Sequence, residues 1–282
     1  MATLAVTAPP SAAATNGNHT HLTDGQVAAL KASMDRTAWD IGPTPPLTAQ
    51  QKQLVKEKMA GVQAFQAAHP TSSAEMTADP EMAPDAGGVL ASDSVAANQM
   101  AQTTTYYCGP AAVKEALGQR GIGGIQSNLA DAMNTTLDGT AWSGVNADVP
   151  SPTGHPVPDV LNDRLSSHGQ NFTYVPKSVA YSATSSDISN YKGNLLADIY
   201  YYSFPLVGDA YEVPGGPHLV GHPNITIFHW FDIRGYTSSG DDTKYEDSVH
   251  GSSISWADGV PAYSTLTSAK IARIVGGRGY VW

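Results

Sequence analysis

The chain has 282 residues, 41% of them hydrophobic and only 14% charged, enough to bury an independent core under a polar, sparsely charged surface. Lys+Arg 15 against Asp+Glu 25 leaves a formal net charge of -10, which repels nucleic acid and anionic lipid as partners. No apolar run reaches the roughly 18 residues of a spanning helix, so no membrane span is expected, and a single cysteine excludes an internal disulfide.

Residues 1–22, "MATLAVTAPPSAAATNGNHT" and the two that follow, combine small residues with a short apolar run and no basic opening. They read as the remnant of an export signal, which predicts a secreted or cell-envelope protein; a disordered Ala/Pro/Thr leader and a cytoplasmic location stay open. Residues 23–70 read as a helical hairpin. Thr23 and Gln26 have capping-box spacing ahead of Val27, Leu30 and Met34, with Ile41 continuing the stripe. Thr48 and Gln51 repeat the box before Val55, Met59, Val62 and Phe65, and His69-Pro70 ends the pattern. Residues 71–91 are polar and carry Pro, Gly and no period, which marks a linker. The main domain is expected over 92–282.

Within that domain, Pro110 to Gly118, Ile125 to Met133 and Val157 to Ser167 have helical spacing. The second half changes period. "FTYVP", "FPLVGDA", "NITIFHWFDIRGYT", "KYEDSV" and "RGYVW" read as strands, with helices over "TSSDISNYKGNLLADIYYYS" and "AYSTLTSAKIARIV". Helices first and a mostly antiparallel sheet second predict an α+β fold.

The lone cysteine, Cys108, precedes Gly109-Pro110 at the start of a helix, where unpaired N–H groups and the helix dipole favour a thiolate over a thiol. A buried structural cysteine is the alternative. A nucleophilic sulfur needs a base. Ile225, Ile227, His229, Phe231 and Ile233 share one face of a predicted strand, so His229 projects from an apolar row and needs a polar partner. If "TSSGDD" is the turn of a hairpin, Asp247 lies opposite His229, whereas Asp232 points to the other face. A carboxylate on one imidazole nitrogen leaves the other to take the thiol proton. Gln102, six residues before Cys108, could add a side-chain N–H to the backbone N–H of Cys108 as an oxyanion donor.

"Q-x5-CGPAA" from Gln102 to Ala112, "FHWFDIRGY" from Phe228 to Tyr236 and "YEDS" from Tyr245 to Ser248 resemble the papain-like cysteine peptidases of the bacteriocin-processing, double-glycine-leader type. "SNLADAMNTTLDGT" resembles the same family's segment after the nucleophile helix. The resemblance runs from about Ala97 to Val275 and implies a papain-like fold. It implies Cys108 as nucleophile, His229 as general base and acid, Asp247 as the orienting acid and Gln102 in the oxyanion hole. Many members follow the acid with proline, where this chain has Ser248. The transporter-linked members carry membrane spans and an ATP-binding domain that this chain lacks, so it resembles a peptidase domain alone.

The expected function is therefore a thiol hydrolase acting on a peptide or protein substrate through an acyl-enzyme, with no cofactor and no metal. Two alternatives remain at this level: acyl transfer to an amine by the same residues, as in a transpeptidase or transglutaminase-like enzyme, and a non-catalytic peptide-binding module. "HLVGHP" spaces His218 and His222 four apart, but Gly and Pro spoil a helical ligand face; the loop containing it is expected to overhang the cleft. Residues 23–70 are either a docked arm or a propeptide released in the linker, where "DAGGVL" offers a double glycine.

Overall fold

Strands in the second half of the chain carry apolar side chains on both faces, and a sheet of that kind needs helices on each side of it. The computed structural model describes residues 21–34, 49–68, 90–144 and 149–282. The leader before His21, the cap at Thr48, the His69-Pro70 stop and nearly all of the expected linker, with its double glycine, lie outside these residues.

The elements run α1 (Asp24–Met34), α2 (Ala49–Ala68), β1 (Asp93–Ser94), α3 (Cys108–Gly118), α4 (Gln126–Ala132), α5 (Pro156–Ser167), β2 (Pro176–Ser178) and α6 (Ser185–Leu196). After α6 come a π-helical turn (Ala197–Tyr202), then β3 (Leu206–Glu212), β4 (Ile227–Thr237), β5 (Asp242–Glu246), β6 (Tyr263–Thr267), α7 (Ser268–Ile274) and β7 (Gly279–Val281). The fold is α+β. Six strands lie in the order β2-β7-β3-β4-β5-β6, β1 pairs with β4, and every pairing is antiparallel.

One face of the sheet presents Val207, Trp230 and Val281 to Ala112, Val113, Ala116 and Leu117 of α3 and to Val157, Val160 and Leu161 of α5. The other presents Leu206, Ala210, Phe231, Ile233 and Tyr245 to Tyr191 and Leu195 of α6 and to Ile271 and Ile274 of α7. Helix α3 is buried almost all round, which its alanines permit: Ala111 and Ala112 have no exposed surface.

The capping box before α1 is present, with the Thr23 N–H donating to Gln26 Oε1 at 2.9 Å and the Gln26 N–H to Thr23 Oγ1 at 3.3 Å. Buried Lys31 fastens α1 to the C-terminal end of α7. Its ammonium donates to the carbonyls of Arg273 at 2.9 Å, Ile274 at 3.2 Å and Gly276 at 2.7 Å, acceptors that a helix end leaves without intrahelical partners. Lys58 of α2 pairs with buried Asp198 at 2.7 Å.

Two predicted elements differ. "FTYVP" is not a strand before Pro176, because the side chain of Asn162 takes the strand's place: Asn162 Oδ1 accepts from the Tyr174 N–H at 2.7 Å and its Nδ2 donates to the Tyr174 carbonyl at 2.9 Å. The first part of "AYSTLTSAKIARIV" is strand β6, paired with β5 from Asp242↔Thr267 to Glu246↔Tyr263. Only after Thr267, whose hydroxyl accepts from the Lys270 N–H, does helix α7 begin.

Candidate active site

Strand β4 is longer than its neighbour. On one side β3 pairs with it from Leu206↔Ile233 to Glu212↔Ile227, whereas on the other β5 ends at Glu246, opposite Asp232. The stretch around His229 and Trp230 thus has no β5 partner. The N-terminus of α3 meets this open edge. The Cys108 sulfur takes a hydrogen bond from the backbone N–H of Trp230 there, another from that of Gly109, and shares a side-chain hydrogen bond with His229.

Gly109 is needed where it stands, since a Cβ there would run into the side chain of Thr140, 2.6 Å from its Cβ. Thr140 is in turn fixed by the Trp230 indole, which donates to the Thr140 carbonyl at 2.8 Å, and by the Thr135 hydroxyl at 2.7 Å. A narrow cleft opens beside the sulfur, lined by Cys108, Asp138, Gly139, Thr140, Phe228 and Trp230, with Asp209 and Arg278.

Asp247 reaches the same point from the end of β5. His229 Nε2 lies 3.0 Å from Asp247 Oδ1, which leaves Nδ1 to face the sulfur. The pair forms, but not by the predicted register. The observed pairing of Ile233 with Tyr245 and Asp232 with Glu246, after a bulge near Gly235, is shifted by two residues from the register that would set Asp247 directly opposite His229. Asp247 instead turns back from just beyond the strand, and its Oδ1 also accepts from the Val249 N–H at 2.9 Å. Ile225 of the predicted row lies outside β4 and is 50% exposed.

Electrostatics bind the three groups together. Burial alone would raise the Cys108 thiol, but the hydrogen bond and charge of His229 and the two backbone N–H groups outweigh it and leave the thiol below its ordinary value. Burial likewise opposes protonation of His229, yet the Asp247 carboxylate and the sulfur raise it well above an ordinary histidine. Asp247, despite its burial, is held well below the carboxylate range by His229 and by His222. These shifts all run toward a thiolate–imidazolium pair beside an ionised carboxylate and away from the uncharged pair.

Gln102 lies beside this group and is 3% exposed. Its backbone N–H donates to the Ser248 carbonyl at 2.8 Å, Ser248 Oγ donates to its Oε1 at 3.2 Å, and its Nε2 donates to the Thr104 carbonyl at 2.8 Å. Ser248, where the resembled family often has proline, thus orients the Gln102 amide, and one of the two Nε2 hydrogens suffices for Thr104.

The residues that sequence reasoning missed stand behind Asp247. The loop after β3 does not hold its histidines out over the cleft: His222 Nδ1 lies 3.0 Å from Glu212 Oε2 and its Nε2 3.0 Å from Asp247 Oδ2, with no exposed side-chain surface. His218 Nδ1 lies 2.9 Å from the same Glu212 oxygen. His222, His229 and Asp247 are the one group among the described residues whose donor atoms are close enough to surround a cation, within 4.8 Å of one another. These residues also make the two hydrogen bonds at 3.0 Å that join His222 and His229 through Asp247.

Three further carboxyls lie fully buried near the start of this chain: Glu115 on α3, Asp232 on β4 and Glu246 on β5. Burial, and then their mutual repulsion, push Glu115 and Asp232 well above the carboxylate range, and burial pushes Glu246 up to about 7. A raised folded value means that the stabilisation is complete below the unfolded value near 4.5 and is lost as pH climbs through about 7. Glu246→Gln, a neutral stand-in for the protonated acid, is therefore expected to leave the melting temperature unchanged at pH 4 and to raise it by a few degrees at pH 8. Thermal melts of both proteins across that range check this.

Comparison of the chain with protein-family models gives no match, and comparison with curated proteins gives none. No helix among the described residues is long and apolar enough to cross a membrane.

Proposed function

We propose that the protein is a cysteine peptidase-like hydrolase that cleaves a peptide or isopeptide bond through an acyl-enzyme on Cys108. The observation that carries this is the sulfur at the start of α3, hydrogen-bonded to an imidazole whose other nitrogen is 3.0 Å from a buried carboxylate. A structural cysteine has no need of that company. A helix carrying the thiol, packed on an antiparallel sheet carrying the imidazole, is the arrangement of a papain-like fold, and we assign the chain that architecture on this ground and on the sequence resemblance.

In this reading the Cys108 thiolate attacks the carbonyl carbon, and the carbonyl electrons move onto oxygen. The backbone N–H of Cys108 and the second Nε2 hydrogen of Gln102 donate to that oxyanion. His229 passes its proton to the leaving amine as the C–N bond breaks, leaving a thioester. Neutral His229 then takes a proton from water as the hydroxide adds to the thioester carbonyl, and the C–S bond breaks to release the acid product and return the Cys108 thiolate beside the His229 imidazolium. Asp247 holds the ring in place throughout without becoming protonated. Helices α1 and α2 serve as a docked arm, consistent with the burial of Lys31 and Lys58.

A peptide-library digest with the parent and with Cys108→Ala tests the proposal. Fragment pairs whose masses sum to substrate plus one water, present only with the parent, support it. Identical, uncut libraries across a range of sequences contradict it.

A further inference from the structure

We infer that His222 is a positioning residue for the same site: seated on Glu212, it holds the second oxygen of Asp247 and so fixes the first against His229. The inference rests on the reading of Cys108 as nucleophile and adds to it a part that a three-residue mechanism does not need.

Each carboxylate oxygen of Asp247 and Glu212 and each ring nitrogen of His222 has a partner. Asp247 Oδ1 meets His229 Nε2 and the Val249 N–H, and Oδ2 meets His222 Nε2 at 3.0 Å. At the far end, Glu212 Oε2 meets both His222 Nδ1 and His218 Nδ1, while its Oε1 accepts from the Leu219 N–H at 2.8 Å. His222 therefore has a carboxylate oxygen at each ring nitrogen. Ionised carboxylates only accept, so a ring between two of them donates from both nitrogens and is an imidazolium. Asp247 and Glu212 are both held low by these contacts in spite of their burial, and His222 is raised by them in spite of its own.

The fold builds this position deliberately. Gly221 has φ +83, open to glycine at little cost, and a Cβ there would overlap the Gly259 carbonyl, so the loop lies backbone against backbone on the segment after β5. That turn sends His222 inward, where its ring meets Trp256 edge-on at 4.8 Å. The ionisable groups facing it are Glu212 from β3, His229 from β4, Asp247 from beyond β5, His218 from its own loop, and Tyr245 of β5, whose hydroxyl accepts from the Val220 N–H at 2.9 Å.

A lone carboxylate between two imidazoles can turn to favour either. With His222 fastened to Glu212, Asp247 cannot follow it away from His229. Two imidazoliums stand against two carboxylates and the thiolate, whereas removing His222 leaves the same three buried anions facing the single imidazolium of His229.

Alkylation of Cys108 by iodoacetamide from pH 4 to 10, in the parent, His222→Gln and Glu212→Gln, tests this, with thermal melts alongside. His222→Gln is expected to lower the rate at pH 6 about tenfold, as for a rise of one unit in the thiol, while the limiting rate at high pH is unchanged. Glu212→Gln is expected to shift the profile the same way by less. A folded His222→Gln protein with the parent's profile overturns the inference while leaving the nucleophile in place. A parent whose profile is that of a free thiol instead removes the nucleophile reading beneath it. Because either variant could fail to fold, nitrogen-15 histidine spectra of the parent at pH 7 provide an independent decision. Protons on both His222 ring nitrogens are expected, and a neutral His222 overturns the inference.

Discussion

His229→Ala is expected to lower kcat by roughly 10³- to 10⁴-fold, because it removes the group that both stabilises the thiolate and protonates the leaving amine. KM should change far less, since the ring is 3% exposed and offers a substrate little contact surface. The loss should not be recovered by raising the pH. More alkaline solution restores the thiolate but supplies no acid for the amine, so a variant that regains full activity at pH 9 would show that His229 only tunes the sulfur. Single-turnover kinetics with a peptide ester and the matching amide separate the two roles. The ester has a leaving group that needs little protonation, and the variant should be much less impaired on it.

Asp247→Asn is expected to cost activity and stability together. The asparagine keeps the shape and can keep one acceptor contact, but its amide nitrogen must face one imidazole N–H, donor against donor. It also leaves the paired charge of His222 and His229 without the carboxylate between them, for which a loss of about 3–5 kcal/mol is the ordinary scale of a broken buried pair. Both histidines are raised by Asp247. Their stabilisation is present below the unfolded value near 6.5 and is lost as pH rises through the folded one, so the deficit of the variant should be largest near neutral pH and below. Denaturant melts at pH 6 and pH 10 measure this, and kcat should fall by about 10²- to 10⁴-fold at pH 7. An asparagine variant as stable as the parent at pH 6 would show that Asp247 carries no charge that the histidines need.

The spacing of apolar residues made most helices and the long strand β4 legible, because those elements bury a periodic face. Thr23 and Gln26 announced the start of α1 for the same local reason. Where a distant side chain replaces a backbone partner, local pattern fails: nothing in "FTYVP" shows that Asn162 will take both backbone groups of Tyr174. Strand β6 was hidden because its Thr and Ser residues lie on an edge and bury no clear face, with Tyr263 49% exposed.

In the site, the approach of Cys108, His229 and Asp247 could be read from a helix start, a strand row and a hairpin, although the hairpin leaves its turn three residues out of the expected register and the bulge near Gly235 recovers only one of them. Asp247 still arrives because it lies beyond the last pair, where the chain is free of the ladder. His222 and Glu212 were out of reach. Their signal is a glutamate ending a strand, followed by histidines six and ten residues later around Gly221, and it has meaning only once the loop is known to fold inward.

The ionisation state of Cys108 tests the central claim most directly. Thiolate absorbance near 240 nm, measured as the difference between the parent and Cys108→Ser from pH 3 to 10, is predicted to show the sulfur ionising at lower pH than an unassisted thiol, and His229→Ala is predicted to return the transition to that of an unassisted thiol. A parent that gains its thiolate only above pH 8, with the same curve after His229→Ala, would contradict the account.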